Sequence, residues 1–181
     1  MAAGWYTLQN KMIFLDRDGV INRKAPPHDY IKSVNEFHML PGAGEAIHLL
    51  NVAGYKVVIV TNQRGIARGL MTMEDLNQVH QFMKKELLNF EAHIDDIFVC
   101  PHDIGQCHCR KPDIGLFLQA EKKFAINKDK SYMIGDSRTD IEAGKNYGIK
   151  TISIGGPDFN ADHDSSSLLE AVNWIIKEEE K

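Results

Sequence analysis

The stretch from Met12 to Gly19, M-I-F-L-D-R-D-G, decides the fold. Four apolar residues run directly into Asp16, Arg17, Asp18 and Gly19, and a continuous apolar run that ends at a polar turn is typical of a buried strand in a parallel sheet. Gly19 allows the backbone to turn sharply after the strand. In open α/β sheets, ligands bind at the carboxyl ends of the strands. We therefore expect Asp16 and Asp18 at a binding or catalytic site.

The closeness of these two acids favours a bound cation, because neighbouring carboxylates repel each other unless a cation or proton separates them. Magnesium suits such a site, since it takes one or two carboxylates and completes its shell with phosphate oxygens and water. The same Asp-x-Asp pattern also occurs in exposed turns that only cap the next element. The polar clusters further along the chain favour the metal site.

Length and composition bound the remaining possibilities. The chain has 181 residues, 43% hydrophobic and 25% charged, which predicts a single domain over 1–181 with a full core. The net charge of -4, without a long basic run, does not indicate a nucleic-acid partner. No apolar segment approaches a membrane span and no signal peptide is visible, so we expect no membrane partner. The three cysteines indicate a reducing, cytoplasmic location, and we expect a monomer. Residues 1–10 are expected to be a loose lead-in, and residues 178–181 a solvated helix tail.

Strands and helices are predicted to alternate along the chain. Four further strands are expected at 56–60, 94–99, 131–134 and 150–154. Helices are expected at about 42–53, 72–89 and 114–124, then in a segment that has Asp140 one turn after its start and ends at about Tyr147, and finally in a segment capped by Ser165 to Ser167. Five strands alternating with helices predict an α/β, doubly wound parallel sheet of the Rossmann type. The long polar loop 20–40 leaves the carboxyl end of the first strand, so we expect it to border the site.

Further polar side chains follow the other predicted strands. Thr61 and Asn62 end the second strand and are good neutral donors to a phosphate oxygen, although they can also merely satisfy turn backbone groups. Asp136 ends the fourth strand, where it can complete the magnesium shell begun by Asp16. Ser137, which follows it directly, is a further candidate for substrate binding.

The loop after the third strand predicts a zinc site. Cys100, His102, Cys107 and Cys109 form a C-x-H-x4-C-x-C pattern, which matches a closed tetrahedral structural site. All three cysteines fall within ten residues, which favours a local metal site over a disulfide framework or scattered buried cysteines. His108 is a competing ligand, but it lies between two cysteines and is the weaker candidate.

A pair of basic residues, Arg110 and Lys111, follows the zinc pattern at once. Arginine can bind a phosphate through two parallel hydrogen bonds, while lysine acts as a point charge. Such a pair is more commonly just exposed, yet next to a metal-held loop it suits an anionic substrate. Core packing does not require a polar cluster after every strand, whereas phosphoryl transfer needs a nucleophile, an acid/base, cations and metal ligands.

The order of these motifs resembles the haloacid dehalogenase (HAD) superfamily of phosphatases. D-R-D-G, T-N-Q, K-P and G-D-S-R-T-D occur in the order of that superfamily and extend from Met12 to Asp140. The C-x-H…C-x-C-R-K-P block is similar to the zinc-containing branch that holds histidinol-phosphate and heptose-bisphosphate phosphatases. Members of that branch lack a large cap domain, which agrees with the absence of a sizeable insertion in this sequence.

The resemblance implies a role for each motif residue. Asp16 would attack the phosphorus to form an aspartyl-phosphate, and Asp18 would act as acid and then as base. Thr61 and Lys111 would bind the transferring phosphoryl oxygens. Magnesium would be held by Asp16, by the backbone carbonyl of Asp18 and by Asp136, while zinc would order the loop without taking part in the chemistry.

D-R-D-G-V-I-N and T-N-Q-x-G-I-A-R-G resemble the heptose enzymes of this branch, which implies D-glycero-D-manno-heptose 1,7-bisphosphate as the substrate and loss of its 7-phosphate. Lys24, Arg64, Arg68 and Arg110 place several cations near the predicted site, where they could hold a second phosphate. The same cations would repel the ammonium group of histidinol phosphate. The short loop between His102 and Cys107 is nevertheless more similar to the histidinol-phosphate branch, so that substrate is the alternative.

Two other classes of protein share parts of the pattern. Receiver domains of response regulators also combine a phosphorylated aspartate with threonine and lysine on a similar sheet, but their motif order differs and they have no zinc loop. A non-catalytic, zinc-stabilised interaction module is the other alternative. The presence of every residue expected for catalysis argues against it, namely Asp16, Asp18, Lys111 and Asp136.

Overall fold

Six parallel strands form one sheet within the part of the chain that the structure describes, and the apolar run before Asp16 is an inner strand of it. The computed structural model describes residues 9–157 and 159–180. The strands are β1 (Met12–Leu15), β2 (Lys56–Asn62), β3 (Asp96–Cys100), β4 (Tyr132–Gly135), β5 (Lys150–Ile154) and β6 (His163–Ser165). Their order across the sheet is β3-β2-β1-β4-β5-β6, so the direction of winding reverses between β1 and β4. In such sheets the ligand crevice lies at this reversal.

Helices cover both faces of the sheet. They are α1 (Ala43–Val52), α2 (Met73–Leu88), α3 (Gly115–Glu121), α4 (Arg138–Tyr147) and α5 (Leu168–Glu179), with single 3-10 turns at Val34–Glu36 and Lys128–Lys130. Helices α1, α2 and α5 pack on one face, and α3 and α4 pack on the other. Strand β1 contributes side chains to the cores on both faces, because successive side chains point to opposite sides of a strand. Ile13 and Leu15 pack on the face of α1, α2 and α5, whereas Met12 and Phe14 pack on the face of α3 and α4.

The predicted fold class is confirmed, with one strand added. The sequence predicts five strands and misses β6, since its three residues, His163 to Ser165, carry no apolar run. Ser165 therefore belongs to a strand, whereas Ser167 caps α5 as expected. A capping box of Thr72 and Asp75 starts α2, close to the start predicted for this helix.

The longest connections between the described elements are the loop after β1 and the loop after β3, which carries the zinc pattern. Within residues 9–157 and 159–180, no insertion is large enough to form a cap domain over the sheet. None of the described helices combines the length and hydropathy needed to cross a bilayer. Of the lead-in expected over residues 1–10, residues 1–8 lie outside the described residues, as does Lys181. Asn10 is not loose, because it pairs with the segment at Ile126.

Candidate active site

A cavity of about 320 Å³ opens at the carboxyl ends of β1, β2 and β4. Side chains from all three strand ends and from the zinc-pattern loop line it. They include the predicted site residues Asp16, Asp18, Lys24, Asn62, Arg110, Lys111, Asp136 and Ser137. The loop over residues 24–31 forms one wall, as its position after β1 predicts. The sheet therefore brings eight of the predicted residues to one site.

Lys111 is buried in this cavity between two carboxylates. Its Nζ lies 3.0 Å from Oδ1 of Asp16 and 2.6 Å from Oδ1 of Asp140, and it also donates to the carbonyl of Val60 at 2.6 Å. Burial opposes the charge of Lys111, but Asp140 and Asp16 outweigh burial and hold its pKa above the ordinary value. Lys111 is therefore a fixed cation directly beside Asp16, where a transferring phosphoryl group would need one.

Three carboxylates converge at the end of β1 and β4. Oxygens of Asp16, Asp136 and Asp140 lie within 4.8 Å of one another. Burial is the main cause that raises the pKa of Asp16, to about 7, and it also raises the pKa of Asp136. Oδ2 of Asp136 pairs with Lys24 at 2.6 Å, while its buried Oδ1 has no hydrogen-bond partner among the described residues.

This donor set fits a magnesium ion. Hard oxygen donors in a partly open site suit Mg²⁺, and a cation there would favour the ionised form of both aspartates. Gly19 is required at the same place, because a Cβ on it would lie 1.8 Å from Oδ2 of Asp136. Its φ of 87° is also one that other residues rarely adopt.

Asp18 is held in a different way from Asp16. Nη2 of Arg17 donates to its Oδ1 and Oδ2 at 2.8 and 2.9 Å, Asn22 donates to Oδ1 at 2.9 Å, and Gln63 donates to Oδ2 at 3.0 Å. Burial would raise the pKa of Asp18, but Arg17 and the hydrogen bonds from Asn22 and Gln63 lower it below the usual value. The side chain remains 25% exposed toward the cavity. Asp18 is thus an ionised carboxylate with a fixed orientation.

The cysteine-rich loop forms a compact four-ligand cluster. Nδ1 of His102 lies 3.8 Å from Sγ of Cys100 and 3.3 Å from Sγ of Cys109, and Cys107 lies 3.5 and 3.2 Å from those two sulfurs. Tetrahedral zinc with its usual bond lengths places such ligand atoms about 3.5–3.8 Å apart. The cluster therefore fits zinc. His108 is fully exposed and lies near Asp113 instead.

Asn62 and Arg64 connect β2 to the zinc loop. The amide of Asn62 makes two hydrogen bonds with the backbone of Lys111, at 3.0 and 3.1 Å. Arg64 forms an ion pair with Asp103 and does not line the cavity. Two of the predicted substrate-binding residues thus already have partners within the protein. The amide of Asn62 is bonded to the backbone of Lys111, and the charge of Arg64 is compensated by Asp103.

Thr61 and Ser137 also have neighbours within the protein. Thr61 is buried, accepts a hydrogen bond from Gln63 at 2.9 Å and lies outside the cavity lining. The hydroxyl of Ser137 donates to Asp140 at 2.6 Å as part of the capping box that starts α4. The predicted contacts of both residues with substrate stay predictions.

Sequence reasoning missed Arg17, Gln63 and Asp140 as members of the site, and it missed His80, whose Nε2 lies 3.1 Å from Nη1 of Arg17. The signal for Arg17 was its position between two acids in a buried segment. A buried cation needs an anionic partner, so Arg17 could have been assigned to a neighbouring acid. The signal for Asp140 was its capping-box spacing from Ser137. Gln63 and His80 gave no comparable signal, because a polar residue after a strand or on a helix has many ordinary explanations.

The comparisons with known proteins agree with this geometry. Residues 108–167 match the HAD-hydrolase-like family. The D-glycero-beta-D-manno-heptose-1,7-bisphosphate 7-phosphatase of Rhodopseudomonas palustris is 39% identical over 155 residues, which cover 81% of this chain and 84% of the relative. The enzyme of the same name from Haemophilus ducreyi is 39% identical over 149 residues, or 78% of this chain and 80% of that one.

A solved structure is similar over nearly the whole chain. It is the D,D-heptose 1.7-bisphosphate phosphatase from B. bronchiseptica, complexed with magnesium and phosphate. The two structures superpose with a TM-score of 0.86 at 30% sequence identity, covering 93% of this chain and 99% of the other.

Proposed function

Because the chain belongs to the HAD family of phosphatases, we propose that it removes the 7-phosphate of D-glycero-D-manno-heptose 1,7-bisphosphate. The observation that carries this substrate is the guanidinium of Arg110. It lines the cavity next to Lys111, and its Nη1 is buried without a hydrogen-bond partner among the described residues. A buried arginine donor that lacks a partner suits an anionic ligand, and a second phosphate is such a ligand.

The same cavity gives little support for histidinol phosphate. Asp29 also lines it and could attract an ammonium group. Its carboxylate, however, is already paired with Lys32 and accepts a hydrogen bond from the backbone of Tyr30 at 2.8 Å. The charge of Asp29 is therefore largely compensated, whereas Arg110 is available.

The proposed mechanism has two displacements at phosphorus. In the first, a carboxylate oxygen of Asp16 bonds to the phosphorus, the bond to the sugar oxygen breaks, and Asp18 delivers a proton to that oxygen. In the second, Asp18 takes a proton from water, whose oxygen bonds to the phosphorus as the aspartyl oxygen leaves. Lys111, beside Asp16, would hold a phosphoryl oxygen through both steps.

The ionised state of Asp18 matters for this sequence. A carboxylate with a lowered pKa is ready for the base role of the second step. For the acid role it must first take up a proton, and the arrival of an anionic phosphate beside it favours this, because a nearby negative charge raises a carboxyl pKa.

We assign one metal to each of the two clusters. Asp16 and Asp136 of the acidic cluster would hold magnesium together with the backbone carbonyl of Asp18, while Asp140 pairs with Lys111. When bound, magnesium would neutralise charge on the transferring phosphoryl group. Zinc would be held by Cys100, His102, Cys107 and Cys109 and would order the loop that carries Arg110 and Lys111.

The substrate proposal is tested by kcat/KM for phosphate release from three esters, the heptose 1,7-bisphosphate, the heptose 7-phosphate and histidinol phosphate. Arg110→Met should lower kcat/KM for the bisphosphate by about tenfold to a hundredfold, since charged hydrogen bonds contribute about 1.5–3 kcal/mol. The loss should be much smaller for the 7-phosphate. Arg68→Met is the matched control, because Arg68 is exposed and does not line the cavity. A higher kcat/KM for histidinol phosphate than for the bisphosphate would contradict the proposal.

A further inference from the structure

Arg17 connects Asp18 to a histidine on α2. It is the largest fully buried side chain among the described residues, with 0% of its surface exposed. Its Nη2 and Nε donate to Asp18, and its Nη1 lies 3.1 Å from Nε2 of His80. We propose that His80 is a positioning residue for the reaction, which fixes the carboxylate of Asp18 by holding Arg17 in place.

The link between Arg17 and His80 has a defined chemical sense. A guanidinium can only donate hydrogen bonds, so Nε2 of His80 must be the acceptor, and the ring must be neutral with its proton on Nδ1. Burial and the nearby charge of Arg17 lower the pKa of His80 to about 3, which keeps the ring in this form. His80 is thus a permanent acceptor for the end of Arg17 that points away from Asp18.

The loss of this acceptor would reach Asp18. A buried guanidinium donor without a partner is costly, so Arg17 would shift toward a replacement partner. Asp18 would shift with it, because three of its hydrogen bonds come from Arg17 and only one each from Asn22 and Gln63. A displacement of about 1 Å in a reacting group can lower turnover by about a hundredfold.

The leaving group of the substrate distinguishes positioning from general damage. An alkoxide such as a sugar oxygen leaves poorly unless it receives a proton, whereas p-nitrophenolate leaves without one. A misplaced acid therefore lowers kcat for alkyl phosphates and leaves kcat for p-nitrophenyl phosphate unchanged. A loosened core or the loss of a metal lowers kcat for both kinds of ester. This inference rests on the acid role proposed for Asp18.

The experiment compares kcat for the heptose bisphosphate with kcat for p-nitrophenyl phosphate in the wild-type protein and in four variants. Asp18→Asn gives the reference value, because it shows how far the alkyl-to-aryl ratio of kcat falls when the acid is removed. His80→Leu removes the acceptor for Arg17 and should lower the alkyl-to-aryl ratio of kcat by tenfold to a hundredfold, in the same direction as Asp18→Asn. His80→Gln retains an acceptor oxygen, so its ratio should stay within about threefold of the wild-type value. His80→Phe keeps a ring but also removes the acceptor for Arg17, and it takes the place of His80→Leu if that variant does not fold.

The outcomes separate this inference from the proposed mechanism. An unchanged ratio in His80→Leu, or an equal loss with both esters, would overturn the positioning role while the acid role of Asp18 stands. An unchanged ratio in Asp18→Asn would remove the acid role itself, and the inference would fall with it. A selective loss in Asp18→Asn and His80→Leu, with His80→Gln close to wild type, supports the inference.

Discussion

Asn62 and Lys111 are joined by two reciprocal hydrogen bonds across 49 positions of sequence. The backbone N–H of Lys111 donates to Oδ1 of Asn62 at 3.0 Å, and Nδ2 of Asn62 donates back to the carbonyl of Lys111 at 3.1 Å. The end of β2 thus holds the backbone of the residue whose ammonium group lies beside Asp16.

Asn62→Asp tests this relationship. It replaces the amide donor by a carboxylate oxygen that faces the Lys111 carbonyl, and an unpaired buried polar group costs about 1–3 kcal/mol. We expect kcat to fall by about tenfold to a hundredfold if most of that cost appears in the transition state. Asn77→Asp, on the exposed side of α2, is the matched control and should keep normal kcat. Normal kcat in Asn62→Asp would show that the pair does not position Lys111.

Most of the fold could be predicted from the sequence because its signals are local. The apolar run before Asp16 and the capping box at Thr72 each act within a few residues, and the structure confirms both elements. Strand β6 could not be predicted, since three polar residues become a strand only by pairing with β5.

Much of the site depends on partners that lie far apart in the sequence. The sequence shows the charge of Arg64 but not that Asp103, 39 positions later, pairs with it. In the same way, a histidine on an amphipathic helix is ordinarily a core residue, and only the fold reveals that His80 meets Arg17. The convergence of acids at the strand ends was predictable because parallel strands end on the same edge of the sheet.

Replacement of Asp16 tests the nucleophile. Asp16→Asn keeps the shape of the side chain but removes the attacking carboxylate, so kcat should fall by at least about a thousandfold. Asp129→Asn, at an exposed position outside the cavity, should be unchanged. Phosphate release measured at saturating substrate gives the comparison, and substantial turnover in Asp16→Asn would exclude an aspartyl-phosphate on this residue.

Metal analysis tests the zinc assignment. The purified protein should contain one zinc per chain, and both His102→Ala and Cys107→Ala should lose it, because each removes one of four ligands. His108→Ala is the matched histidine control, since His108 faces solvent, and it should retain the metal. Elemental analysis of the wild-type protein that finds no zinc, or a disulfide among the three cysteines, would disprove the assignment.

His80 also predicts a pH dependence of stability. Its pKa is lowered in the folded protein to about 3, from an ordinary value of 6.5, so between these values the unfolded chain binds a proton that the folded protein does not. The contribution of neutral His80 to the free energy of unfolding is fully present above pH 6.5. It decreases by about 1.4 kcal/mol per pH unit as the pH falls below that value. Between pH 7 and pH 5, wild type should lose about 2 kcal/mol more unfolding free energy than His80→Gln, as measured by urea titration. Parallel losses in the two proteins would contradict a neutral, buried His80.

The regiochemistry of phosphate release tests the central proposal most directly. The anomeric 1-phosphate has the better leaving group, so chemical reactivity alone would favour its loss, and only binding geometry can select position 7. Phosphorus NMR of the heptose 1,7-bisphosphate with the magnesium-loaded protein should show the 7-phosphate resonance replaced by inorganic phosphate, while the 1-phosphate resonance persists. Loss of the 1-phosphate resonance first, or no turnover of the bisphosphate under conditions where histidinol phosphate is hydrolysed, would contradict the proposed function.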